Sequence, residues 1–184
     1  MPIAAHTAPH VAQFTCDTPL GPALIARSDQ GLTGLWFEGQ KDHPKELDGI
    51  NVTKQDPIIQ ACVTQLDEYW QGKRTSFDLP LDLHGTPFQI QTWQALLAIP
   101  QGQLVSYGQL AHQLGRPQAS RAIGAAVGMN PISVIVPCHR VVGSQCQLTG
   151  YAGGLDRKVA LLELEGLQVN GSRVHPPLTH PVLL

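Results

Sequence analysis

Cys138 is entered from the apolar run Ile132-Ser133-Val134-Ile135-Val136 through Pro137 and is followed directly by His139 and Arg140. A cysteine sulfur is an effective nucleophile only as the thiolate, and cationic or hydrogen-bonding neighbours raise the thiolate fraction at neutral pH. An imidazole and a guanidinium beside the thiol are neighbours of that kind. The same residues also fit a plain reading in which Cys138 is a small buried hydrophobe. Both readings stand on the tetrapeptide alone. The four cysteines, at 16, 62, 138 and 146, form no C-x-x-C pair, and the eight histidines show no H-E-x-x-H spacing. Nothing in these spacings supports a metal site, including one assembled from distant residues such as Cys16 with His43 or His84.

The elements around the thiol are readable from pattern. The β-branched run 132–136 predicts a strand that ends at Pro137. Thr86-Pro87-Phe88-Gln89 is a capping box with proline at the first helical position, predicting a helix to about Ala98 with Ile90, Trp93 and Leu97 inward. Ser106-Tyr107-Gly108-Gln109 is a second capping box, opening a short helix Tyr107–Leu114. Gly115-Arg116-Pro117 is a turn, and a third helix is predicted over about 118–128, with Ala119, Ala122, Ile123, Ala126 and Val127 inward. Helix, glycine-containing turn, helix is the shape of a helix-turn-helix. The third helix exposes small residues (Ala119, Ser120, Gly124, Ala125) and one long cation, Arg121. That composition suits close approach to DNA, and it suits a tight helix–helix interface equally well. Past the cysteine, 148–154 is a glycine-rich loop that matches neither phosphate-binding pattern. A last helix, about Leu155 to Glu165, carries Arg157 and Lys158 at its start and Glu163 and Glu165 at its end, all against the helix dipole. Charges so placed imply work other than helix stability.

The first 84 residues read as a small α/β scaffold without chemistry. Ala23–Ala26 and Leu32–Phe37 are short strands around the turn Ser28–Gly31. Asp56 and Pro57 open a helix carrying Ile59, Cys62, Val63, Leu66 and Trp70, and 77–83 alternates as an edge strand. At 184 residues, 42% hydrophobic and 14% charged, the chain is expected to fold around a substantial core. It has no run long enough to cross a membrane and no leader pattern, so cytoplasmic residence with reduced thiols is expected. The net charge of −2 and the pI of about 6.4 argue against a strongly basic nucleic-acid binder. The charge is uneven, however. Residues 1–84 carry 6 Lys and Arg against 11 Asp and Glu, whereas 85–184 carry 6 against 3, which suggests two units at 1–84 and 85–184, the second facing a polyanion.

Taken in order, Gly85-Thr86 with Phe88-Gln89, Trp93, Ile99-Pro100, 106–111, 120–124, Asn130-Pro131, 136–143, 150–154, Leu161-Leu162 and Glu165-Gly166 resemble the C-terminal domain of the O6-alkylguanine-DNA alkyltransferases. The resemblance implies an α+β fold. A small N-terminal α/β domain of ribonuclease H-like type would precede a C-terminal helical, winged helix-turn-helix domain carrying the reactive cysteine. It implies direct-reversal DNA repair, with Cys138 taking the alkyl group from guanine O6 irreversibly, once per molecule, and with no cofactor. O4-alkylthymine is a further candidate substrate. In that frame His139 would deprotonate the thiol through a water, with Glu165 orienting it. Tyr107 would hydrogen-bond the departing guanine at N3 and help rotate it out, since O6 is not open to in-line attack in the stack. Arg121 would fill the gap, with Gly124 and its small neighbours allowing entry into the minor groove. Asn130 would brace the turn beside Cys138. Tyr151 would wall the base pocket, and the backbones of Val141 and Ala152 would meet the guanine edge. Arg116 and Ser144 would contact phosphates, and Lys158 would tune the site's potential. The implied partner is double-stranded DNA holding an O6-alkylated guanine, met by a monomer.

Other classes fit less of the sequence. A non-catalytic alkylated-base binder of the same fold would not need Cys138. A Cys-His hydrolase leaves the helix-turn-helix unused, and a plain helix-turn-helix transcription factor leaves 137–140 unused. One departure from the family is plain. The segment 143–147, Gly-Ser-Gln-Cys-Gln, lacks the Asn/Asp-Gly turn chemistry common there and leaves Cys146 as a second thiol. The tail after Gly171 has no assigned role and is expected to be loosely ordered from Pro176.

Overall fold

Residues 8–176, apart from 42, 45, 46 and 49, are described in the computed structural model. The tail beyond 176 and the N-terminal stretch read for a leader lie outside the described residues. A four-stranded sheet forms first along the chain, from β1 (Ala12–Cys16), β2 (Ala23–Arg27), β3 (Leu32–Phe37) and β4 (Asn51–Val52) in the order β3-β2-β1-β4. β1–β2 and β2–β3 pair antiparallel and β1–β4 parallel. The turn Ser28–Gly31 joins β2 to β3 as its polar residues require.

β1 was not expected, because Gln13 breaks its apolar pattern at a buried position. The Gln13 amide is satisfied by the chain beneath it: it donates to Leu47 O and Ile50 O and accepts from Leu47 N–H. A buried polar side chain is tolerable only with such partners. The predicted edge strand 77–83 shrinks to one bridge between Leu81 and Leu32.

One face of the sheet is covered by α1 (Pro57–Trp70), whose start is set by Asp56 accepting from Ile58 and Ile59 N–H. Its buried stripe is Ile59, Cys62, Leu66 and Tyr69. The sequence had placed Trp70 there; the helical repeat from Leu66 selects Tyr69, and Trp70 lies half-buried. Next come α2 (Pro87–Leu97), β5 (Val105–Ser106), α3 (Tyr107–Gln113) and α4 (Ser120–Gly128). Both capping boxes are formed as read, at Thr86–Gln89 and Ser106–Gln109. α4 starts two residues later than predicted, so Ala122 faces outward and Ala119 is half-buried. α4 buries Ile123, Ala126 and Val127, and Trp93 of α2 donates to Ala126 O.

Beyond the cysteine lie β6 (Val141–Val142), α5 (Leu155–Leu164), β7 (Gln168–Asn170) and β8 (Arg173–His175). β5 pairs parallel with β6, which draws the start of α3 beside the cysteine segment. β7 and β8 form a hairpin whose two-residue turn is Gly171-Ser172, with Gly171 at a φ of 59°. A single buried cluster runs through both halves, from Ile25, Phe37 and Leu66 to Trp93, Ile123, Val136 and Leu161. No helix among the described residues is long and apolar enough to cross a membrane.

Candidate active site

The predicted strand 132–136 is not a strand. Only Ile132 bridges to the sheet, beside Leu35 at the edge of β3, with Leu35 N–H donating to Pro131 O and Ser133 N–H to Leu35 O. The chain then coils tightly. Ile135 N–H donates to Ser133 O across Val134, whose φ is 71°, and Val136 N–H donates to Ile132 O. A β-branched residue at positive φ is a strained choice, and such a tight turn persists only where surroundings impose it. The Asn130 side chain does so from within. Its Oδ1 accepts from Ile132 N–H, and its Nδ2 donates to Val136 O at 2.8 Å and to Cys138 Sγ at 3.0 Å. Asn130 therefore both shapes the turn and touches the sulfur. Pro137 makes a second tight turn, with Cys138 N–H on Val136 O, and delivers Cys138–Arg140 as one 3₁₀ turn.

His139 and Arg140 both leave that turn toward Glu165, which caps the C-terminal end of α5. His139 Nε2 lies 2.7 Å from Glu165 Oε1. Arg140 grips the carboxylate with Nε on Oε2 at 2.9 Å and a terminal nitrogen on Oε1 at 2.8 Å, and its other terminal nitrogen donates to Ile99 O. Tyr69 of α1 donates its hydroxyl to Oε1 at 2.8 Å. Burial alone would favour the neutral acid, but hydrogen bonds from His139 and Arg140 outweigh it and hold the Glu165 carboxyl down to about 2. Glu165 is therefore a carboxylate, so Nε2 of His139 carries a proton and donates. Burial also lowers the imidazole's pKa, opposed by Glu165. The neutral ring then presents Nδ1 as a free lone pair, and that buried atom has no hydrogen-bond partner among the described residues.

The thiol of Cys138 is raised above its ordinary value by burial, and this is eased by the Asn130 hydrogen bond and the Lys158 charge. The resting form is the thiol, so a base is needed at the moment of reaction. Lys158, fully buried in α5, donates to Val141 O at 2.6 Å and Thr149 O at 3.2 Å. Burial brings its pKa down to about 8, so it is still largely cationic at neutral pH. Cys138 forms the floor of a cavity of about 500 Å³ shared with Tyr107, Gly124, Met129, Tyr151 and Ala152. Tyr107, the first residue of α3, pairs its hydroxyl with Thr149 Oγ1 at 3.1 Å. The Tyr151 hydroxyl is buried without a hydrogen-bond partner among the described residues, and a side chain at Gly153 would sit 2.7 Å from the Tyr151 ring. The glycine run after Tyr151 is thus spent on seating that ring.

Two family profiles match the chain, "6-O-methylguanine DNA methyltransferase, ribonuclease-like domain" over residues 12–83 and "6-O-methylguanine DNA methyltransferase, DNA binding domain" over 87–167. The methylated-DNA–protein-cysteine methyltransferase of Mycobacterium leprae is 47% identical over 153 residues, covering 83% of this chain and 91% of that protein. The chain belongs to the 6-O-methylguanine DNA methyltransferase family. The corresponding protein of Salmonella typhimurium is 46% identical over 158 residues, covering 81% of this chain and 92% of that one. Among solved structures, Mycobacterium tuberculosis OGT in complex with DNA superposes with a TM-score of 0.76 at 47% identity, covering 84% of this chain and 92% of that one.

In this member of the methyltransferase family the residues read from sequence fall into two groups. Cys138, His139, Asn130, Glu165 and Lys158 form one connected buried cluster, and Tyr107, Tyr151, Ala152 and Gly124 line the cavity above it. Val141 meets the cluster through its carbonyl, already accepting from Lys158, while Ala152 O accepts from Lys41 N–H. Arg121, Arg116 and Ser144 stand apart on the exposed surface. Arg116 lies over the Phe88 ring at 5.1 Å. No group of three or more His, Cys, Asp or Glu among the described residues is placed to hold a metal.

The misplaced charges of α5 are accounted for except one. Arg157 ties α5 to the first half by donating to Leu20 O, Glu38 O and Gly153 O, with its guanidinium 4.9 Å from the Phe37 ring centre. Lys158 holds Val141 O and Thr149 O near Cys138, Glu165 holds His139 and Arg140, and nothing in the structure explains Glu163. Arg140 was read as a neighbour of the thiol, but its guanidinium is spent on Glu165. Sequence reasoning missed Tyr69, having placed Trp70 on the buried stripe of α1, and Lys41, which lines the cavity.

Proposed function

We propose that this chain reverses alkylation in double-stranded DNA by taking the alkyl group from guanine O6 onto Cys138 Sγ. The observation that carries this reading is the placement of Cys138. Its sulfur lies at the base of a cavity within the usual small-molecule range, about 300–1,000 Å³, accepts from Asn130 Nδ2, and is carried on the same 3₁₀ turn as the Glu165-oriented imidazole of His139. His139 accepts the thiol proton at Nδ1, directly or through one water. The thiolate then attacks the alkyl carbon in line. The S–C bond forms, the C–O6 bond breaks, and its electron pair stays on guanine. Tyr107 supplies a proton at N3 and regains one from solvent, while His139 releases the thiol proton to solvent, so the net transfer is one proton from sulfur to guanine. A thioether has no route back here, and each molecule acts once.

An O6-alkylated guanine pairs weakly, which lowers the cost of turning it out of the helix. Arg121 fills the vacated place, small residues of α4 such as Gly124 bring the helix close to the minor groove, and Arg116 and Ser144 meet phosphates. In this reading residues 1–84 are the scaffold and 85–184 the unit that binds DNA and accepts the alkyl group. The protein works as a monomer, with O4-alkylthymine as a second substrate to be tried.

The test is to incubate the protein with a duplex holding one O6-methylguanine and weigh the peptide that bears Cys138. One added methyl on that peptide, with guanine restored and no transfer by Cys138→Ala, is the expected result. A lesion that is bound but left intact would refute transfer in favour of a base-binding protein.

A further inference from the structure

We infer that Tyr69, on α1 of the first half, is a positioning residue for the His139–Glu165 pair and sets how strongly that pair can draw a proton from Cys138. The inference rests on the transfer reaction proposed above, and gives the N-terminal region a part in it. Tyr69 is closed from solvent, and its ring is fixed by Trp70 and Phe77, with centroids 5.1 and 5.4 Å away. These contacts fix the ring, while its hydroxyl goes across the molecule to Glu165 Oε1, 96 positions later. A residue needed only for packing would be served by phenylalanine.

Glu165 Oε1 receives three donors, from Tyr69, His139 and Arg140. A carboxylate oxygen offers two good lone-pair directions, so the donors compete for one charge. Each share taken by Tyr69 is withdrawn from His139 Nε2–H, which leaves the imidazole less basic and neutral over a wider pH range. The other groups facing the pair are Arg140 and Cys138 on the same 3₁₀ turn, Lys158 on α5 and Tyr151 on the glycine-rich loop. Arg140 and Lys158 both disfavour a protonated His139, and Tyr69 acts in the same direction through Glu165. The phenol itself stays protonated, because burial and the Glu165 charge push its pKa far up.

The experiment follows single-turnover methyl transfer from an O6-methylguanine duplex against pH, for the wild-type chain and Tyr69→Phe. Loss of the hydroxyl returns charge to the His139 contact, so His139 protonates at higher pH and the acidic limb of the profile moves up. A shift of about half a pH unit or more is expected from the strength of a hydrogen bond to a charged group, with the plateau rate within about twofold. Replacing Tyr69 alone by 3-fluorotyrosine, a stronger donor, moves the limb the opposite way and covers the case of a poorly folding phenylalanine variant. Nitrogen NMR of His139 measures the same displacement without substrate. Superimposable His139 titrations, or a rate lowered equally at every pH, would overturn the inference and leave Tyr69 as packing. If wild-type protein places no methyl on Cys138, the proposed reaction fails, and the NMR titration still decides the role of Tyr69.

Discussion

Glu165→Gln keeps the side chain's volume and removes its charge, and the structure fixes what that should cost. Arg140 is 6% exposed, and its charge loses its buried counter-ion while keeping the bond to Ile99 O and at most one to the glutamine oxygen. The Glu165 carboxyl is displaced from 4.5 to about 2 in the folded protein, a difference that corresponds to about 3 kcal/mol of stability at neutral pH. Removing one partner of a buried ion pair costs about 3–5 kcal/mol by mutational experience, so the two routes agree. The pH dependence follows from the direction of the displacement. Between about pH 4.5 and 2 the unfolded chain takes up a proton at this position while the folded chain does not. The Glu165 contribution is therefore fully present above pH 4.5 and is lost as pH falls toward 2. Urea unfolding of both proteins from pH 7 downward should show a gap of about 3 kcal/mol that narrows below pH 4.5. A gap under about 1 kcal/mol at pH 7, the size of an exposed pair, would refute the reasoning, as would a gap that stays constant on acidification.

Asn130→Ala leaves the buried Ile132 N–H without its acceptor, takes one of the two donors from Val136 O, which keeps Cys138 N–H, and takes a donor from the sulfur. It should lower stability by about 1–3 kcal/mol, from one buried group left without a partner, and slow transfer at pH 7, read by denaturation and single-turnover rates. Lys158→Met removes the buried cation that favours the thiolate, and should slow transfer at pH 7 in single-turnover assays, with the rate recovering as pH is raised. In the loop 143–147, Gln145 and Cys146 have φ of 57° and 58°, the left-handed region, and Gln147 N–H donates to Ser144 O. The double change Gln145→Asn with Cys146→Gly suits that backbone and should raise stability by about 1–2 kcal/mol, seen as a melting temperature higher by several degrees.

Where local chemistry decides the structure, the sequence was readable. Asp56-Pro57 opened α1, two capping boxes opened α2 and α3, and the turn Ser28–Gly31 joined β2 to β3. Where distant partners decide, it was not. Gln13 sits inside β1 because Leu47 and Ile50 lie beneath it, and no local pattern announces them. The run 132–136 has the composition of a strand, yet Asn130 folds it into successive tight turns against β3. In the site, Cys138 and His139 stood out through their motif, while the roles of Asn130 and Glu165 came only from the family resemblance. Tyr69 was hidden, because a tyrosine on the apolar stripe of a helix looks like core until its hydroxyl has somewhere to go. The shape of 143–147 was equally closed to reading, since glutamine and cysteine adopt a turn that asparagine and glycine would have signalled.

The hydrogen bond between Tyr69 and Glu165 also bears on the order in which a new molecule is made. α1 leaves the ribosome long before α5, so the first half must tuck the Tyr69 hydroxyl away while its acceptor is still unsynthesised. The turn around Asn130 must likewise find a distant partner, the edge of β3 made earlier in the chain. Contacts this far apart in sequence close late in folding. Until they do, Cys138 lacks the Asn130 contact and the oriented imidazole, and it is chemically an ordinary thiol. The cysteine site is thus complete only once α5 has been made and packed, since Glu165 at its end is what holds His139.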